Sequence, residues 1–130
     1  MTATMYKLLL IALGGAAGTL ARYGTHVLSK GVGERLTFPV ATLAVNLLGC
    51  LLIGFLQGVL VERCPVREEY RLMVIVGFLG GFTTFSTFGW DTAGMLRDGE
   101  VVRGMVYVMV SNVVGIALVV AGYGLSRWHV

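Results

Sequence analysis

From Pro39 to Val61 the chain carries no charged side chain, and only Asn46 and Gln57 interrupt that run as strongly polar groups. A segment so long and so apolar either spans a bilayer or lies at the centre of a large core. A large core needs more chain than this one has: 130 residues, of which 56% are hydrophobic and 13% charged, with 19 glycines. Similar apolar stretches lie at 5–28, 70–96 and 101–127. About 20 apolar residues suffice for each crossing, so four spans with short connections use nearly all of the chain. The glycines fit as points of close backbone approach between helices. The expected fold is an all-α membrane protein, one transmembrane domain over residues 1–130, whose function is exercised in or at the bilayer.

The first stretch follows Lys7 and resembles a signal peptide only in outline. It is long for such a segment and holds glycines and Arg22 where a small-residue cleavage site belongs, so it is expected to be a retained span. Its Gly14 and Gly18 form a weak small-xxx-small pair. Arg22 and Tyr23 near its end suit either interfacial anchoring or, for Arg22, an electropositive vestibule that gathers anions. Residues 29–38 read as an ordinary loop before Pro39. Residues 62–71 read as a solvated connection of mixed charge, and 97–100 as a tight turn. Trp128 and His129 look like a boundary anchor and an exposed tail. Cys50 and Cys64 form no metal or redox pattern. The net charge of +3 is dispersed singly, without the clustered face that nucleic acid requires.

The third span is the unusual one. It runs into Gly80-Gly81 and then into Thr83, Thr84, Ser86 and Thr87, interleaved with Phe82, Phe85 and Phe88. A glycine pair eases departure from helical geometry, and nearby hydroxyls can serve the stranded backbone groups. Inside a bilayer such an interruption, expected near 80–84, is tolerated against protein or water and marks an ion or solute site. A continuous helix with hydroxyls bonded back to the preceding turn fits the same residues.

With four spans, Lys7, Arg63, Arg67, Arg71 and Arg127 fall on one side, and Arg22, Lys30, Arg35, Arg97 and Arg103 on the other. The balance of Lys and Arg that normally orients a membrane protein is therefore nil, or one residue if Arg22 is embedded. Insertion in both directions and an antiparallel homodimer with its two-fold axis in the membrane plane follow naturally. A fixed orientation set by the first helix is the alternative.

Every acidic residue falls in a loop or near an expected helix end, Asp91 included. A proton-coupled exporter of cationic compounds would carry an embedded carboxylate. Neither a nucleophile with its base nor a His and acid cluster is present, so no enzyme is expected. Asn46, either interhelical glue or pore lining, remains with Tyr107, Ser111, Asn112 and the hydroxyls of the third span. Together with the positive ring edges of the phenylalanines, these neutral donors suit a small anion. At helical spacing Tyr107, Ser111 and Gly115 share one face, a polar track.

In length, span number, charge balance, the pattern Gly14-Gly15-x-x-Gly18-x-x-x-Arg22-Tyr23 and the run from Gly80 to Phe88 joined to Asn46, the chain resembles the Fluc/CrcB family of fluoride channels. The resemblance implies four helices with the third broken, an antiparallel, dual-topology homodimer in the lipid of a prokaryotic plasma (inner) membrane, and passive fluoride export through two pores. It also implies a structural sodium ion held centrally by the Gly80 and Thr83 carbonyls of both subunits. Asn46, Phe85, Phe88, Tyr107 and Ser111 are implied to line the pores, Phe82 to pack, and Arg22 to border the vestibule. Gly115 departs from the pattern, standing where a hydroxyl residue is expected. A four-helix exporter of cationic compounds and a non-transporting membrane assembly protein are the competing functions.

Overall fold

A computed structural model describes residues 2–128; His129 lies outside the described residues. All regular structure among them is helical. Helix α1 is Ala3–Leu36, α2 is Val40–Arg63, α3 covers 68–82, α4 is Phe85–Arg97 and α5 is Val101–Arg127. Four segments are long and apolar enough to cross a membrane: α1, α2, the third span Glu68–Arg97 and α5.

The second, third and fourth spans end within two residues of the expected positions, but α1 does not. Its 34 residues extend about 51 Å, well beyond a hydrocarbon core of about 30 Å. Residues 29–36, expected as loop, continue the helix, and only 37–39 connect it to α2. Gly31 and Gly33 weaken this extension without breaking it, since no proline intervenes before Pro39. The stop is a Schellman motif. Thr37 turns left-handed (φ 48°, ψ 42°), its N–H bonds the Glu34 carbonyl at 3.4 Å, and the Phe38 N–H bonds the Gly33 carbonyl at 3.2 Å.

Packing joins α1 to α3 and α2 to α5. Gly14 and Gly18 of α1 lie against the Met73 and Phe78 carbonyls, and Gly77 and Gly81 of α3 return the contact at Ile11 and Gly15. Gly54 of α2 faces the Val119 carbonyl, while Gly122 of α5 faces that of Leu51. A methyl group at these positions would overlap backbone. The small-xxx-small pair, weak as a sequence signal, is therefore a true contact strip. Large side chains such as Leu20, Leu28, Val102 and Ile116 point outward, as lipid-facing residues should when association rests on close packing instead of apolar burial.

Wide π-helical turns occupy Gly58–Arg63, Leu72–Leu79 and Val110–Val114. Such turns shift the side chains that follow onto another face. At one end of the bundle Lys7 and Glu68 pair at 2.5 Å, joining the starts of α1 and α3, and the Tyr123 hydroxyl donates to Glu62 at 2.7 Å. Arg103 pairs with Glu100 at 2.7 Å. These surface pairs tether ends and contribute little stability individually.

Gly18→Ala is expected to destabilise the protein by about 1–3 kcal/mol through overpacking. Gly24→Ala, in the same helix with nothing near its added carbon, should be neutral or stabilising by up to about 1 kcal/mol. Thermal unfolding in detergent checks the pair, and equal effects would contradict the close-contact account.

Candidate functional site

Two residues of the third span leave helical geometry. Thr83 (φ −87°, ψ 161°) and Thr84 (φ −153°, ψ 117°) have extended dihedrals between the end of α3 and the start of α4. Against the interruption expected near 80–84, Gly80 and Gly81 stay helical. Gly81 serves the approach to α1, where a side chain would meet the Gly15 carbonyl and Thr19. The β-branched threonines suit the extended conformation.

Extended residues within a helix strand their neighbours' peptide groups, and here side chains take up the loss. The Thr84 N–H bonds Asn46 Oδ1 at 2.8 Å, while Asn46 Nδ2 donates to the Thr84 carbonyl at 3.0 Å. The Thr84 hydroxyl then caps α4, accepting from the Thr87 N–H at 3.3 Å and donating to the Thr87 hydroxyl at 3.0 Å. In a continuous helix the amides of residues 84 and 87 would bond the carbonyls of Gly80 and Thr83. Both carbonyls thus lose their ordinary donors. They are oxygen ligands of the kind a hard cation takes. Gly80 is exposed with open space at its Cα; the Thr83 carbonyl accepts a bond from Arg22 at 3.3 Å. By this test the Gly80 carbonyl fits a cation, while the Thr83 carbonyl is already engaged by the Arg22 guanidinium; among the described residues no cluster of His, Cys, Asp or Glu side chains offers another metal site.

A cavity of about 440 Å³ opens beside this feature at the protein surface. It brings together Asn46, Gly49, Cys50, Gly80, Thr83, Thr84, Phe85, Phe88, Ser111 and Asn112. Phe85 is 83% exposed and its ring lies 5.6 Å from that of Phe88. Phe88 continues to Tyr107, centroid to centroid 5.2 Å, giving a chain of rings that leads inward. Phe82 is buried and stacked on Phe78 at 5.8 Å, the packing position expected for it.

The expected polar track is divided. Ser111 lines the cavity, whereas Tyr107 is fully buried behind Phe88 and Gly115 lies against Cys50 of α2. The π-helical turn at Val110–Val114 separates these positions, which α-helical spacing alone would have aligned. Arg22 is half-buried and bonds the Thr83 carbonyl.

Three contributions escaped sequence reasoning. Thr84 joins Asn46 to the α4 cap, a partnership across 38 residues that no local pattern announces. Cys50 lines the cavity. Asp91, expected as a solvated residue near a helix end, has a buried carboxylate oxygen without a hydrogen-bond partner, as do the Tyr107 and Ser111 hydroxyls. It borders a second cavity of about 310 Å³ with His26, Lys30, Thr42 and Thr87. Asp91 as a whole is half-buried near the outer end of the third span, with one oxygen enclosed by protein. Asp91 lies two turns into α4, and the ends of α1 and α2 cover it.

A family model described as "CrcB-like protein, Camphor Resistance (CrcB)" matches residues 9–123. A relative from Solibacter usitatus is 46% identical over 123 residues, 93% of this chain and 98% of its own. One from Salinibacter ruber is 48% identical over 122 residues, covering 94% and 90%. A third, from Aquifex aeolicus, is 43% identical over 119 residues, covering 90% and 94%. Each of these relatives carries the name fluoride-specific ion channel FluC.

Thr84→Val removes the α4 cap and should cost about 1 kcal/mol, read as thermal stability in detergent, while Thr84→Ser should retain most of it. Equal loss in both would contradict the capping role.

Proposed function

The chain belongs to the CrcB-like protein family, and from that membership we propose that it is a fluoride-selective ion channel, a multi-pass protein of a prokaryotic plasma (inner) membrane. The observation that carries the proposal is the cavity where exposed Phe85, Phe88, the Asn46 amide and Ser111 meet beside two extended residues of the third span. Those threonines are taken as the family's helix break. Hydrogen fluoride crosses membranes as a neutral acid, dissociates at neutral interior pH and leaves trapped anion. A passive pore then exports fluoride down its electrochemical gradient.

Small anions hold their hydration shell tightly, so a selective path must replace it with fixed donors while leaving no deep trap. The rings of Phe85 and Phe88 offer polarised edges. Asn46 retains one N–H beyond the bond to Thr84, and Ser111 has an unpartnered hydroxyl. Tyr107, behind Phe88, supplies the next hydroxyl inward. Arg22 contributes positive potential near the break and gathers anions from there.

The cavity is open on one side. A second, inverted copy of the chain would close it, giving an antiparallel homodimer with two pores. The charge balance supports this: with Arg22 bonded inside the protein, five basic residues face four, the original five less Arg22. The four carbonyls of Gly80 and Thr83 from both subunits would hold sodium at the dimer centre, where the ion offsets their dipoles and stiffens the assembly.

One observation favours a second function, proton-coupled export of cationic compounds: the buried carboxylate oxygen of Asp91. That function requires Asp91→Asn to abolish transport of a cationic dye and leaves no role for the phenylalanines. Under the channel proposal, Phe85→Ile or Phe88→Ile lowers fluoride efflux from liposomes about tenfold or more, equivalent to about 1.4 kcal/mol on the barrier. Both variants should still run as dimers. Unchanged efflux in both would return the rings to packing. Reporters fused to the C-terminus should signal from both membrane faces, and a one-sided signal would contradict dual insertion.

A further inference from the structure

We propose that Asn46 creates the cation site without touching the cation, as a positioning residue acting through the Thr84 amide; this rests on the sodium site proposed above. The two carbonyls are freed by different devices. That of Thr83 loses the residue 87 amide to the Thr84 hydroxyl, a bond internal to the third span. That of Gly80 loses the residue 84 amide to Asn46 Oδ1, a bond supplied from α2. Only the second depends on another helix.

Gly80 and Gly81 are already helical, so once Asn46 Oδ1 is gone α3 can extend by one more bond if Thr83 turns from ψ 161° to helical values. The Thr84 N–H would return to the Gly80 carbonyl, the alternative acceptor within its own helix, because a buried amide must find a partner. Each protomer would then lose the Gly80 carbonyl and keep only that of Thr83, which Arg22 also bonds. The close approach of α2 that sustains the bond is built in as well. Gly49, on the Asn46 face, leaves the space that the Thr83 methyl group fills.

The essential atom is the side-chain oxygen. Asp places a carboxylate oxygen where Asn46 Oδ1 stands, but it sets a second acceptor against the Thr84 carbonyl in place of the donor and adds a negative charge. Leu has the same branching, a larger volume and no oxygen. Asn46→Asp therefore keeps the Gly80 carbonyl free and Asn46→Leu does not, whatever either does to fluoride flux.

The test is thermal stability of the detergent-solubilised dimer, titrated with sodium against a potassium background. The wild type is expected to be stabilised by sodium. Asn46→Leu should need about tenfold more sodium or greater for the same stabilisation, a change of about 1.4 kcal/mol. Asn46→Asp should respond at the wild-type concentration or below. Equal responses in wild type and Asn46→Leu would overturn the proposal while leaving the sodium site standing. A wild type indifferent to sodium would overturn the site itself and the proposal with it. Should Asn46→Leu fail to assemble, the uncharged Asn46→Ala decides: a weakened sodium response supports the role of the oxygen, and an unchanged one overturns it.

Discussion

A peptide group inside hydrocarbon has only protein to bond with, and two hydrogen bonds between Asn46 and Thr84 are what let the third span leave helical geometry. They act as a side-chain substitute for a backbone partner, one accepting and one donating. Without them the extended Thr84 would bury an amide and a carbonyl at a cost of about 1–3 kcal/mol each. The rest of the candidate site follows from this join: the freed carbonyls, the cap that starts α4 at Phe85, and the direction in which the rings of Phe85 and Phe88 emerge.

The bundle is arranged to hold that join. Glycines bring α1 against α3 and α2 against α5 so closely that backbone meets backbone. Gly49 performs the same service at the join itself, admitting the methyl group of Thr83. Large apolar residues are largely excluded from these contacts and lie exposed on the protein surface. The interior is left to small residues, a few rings and hydroxyls, which is a rigid setting for side chains that must present donors without collapsing around an ion.

Much of the fold was legible because lipid imposes strict terms: long uncharged runs, proline or charge at their ends, glycine at the contacts. The end of α1 was not, since its last turns lie beyond the apolar stretch and there Gly31 and Gly33 resemble a loop. The site was legible in its residue types but less so in its geometry. Gly80-Gly81 drew attention as the hinge, yet Gly81 is a packing residue and the departure falls on the threonines. Ser111 and Gly115 share a face at α-helical spacing, and a π-helical turn shifts that register. Asp91 looked solvated by its place in the chain and is partly enclosed by the ends of α1 and α2, which only tertiary structure reveals.

Neutral donors and ring edges gathered around an open groove, not an ionisable carrier site, are the centre of this account, and selectivity among anions tests it most directly. Purified protein in liposomes should release fluoride rapidly down its gradient while chloride is retained. Equal passage of both ions, or passage of neither, would contradict it.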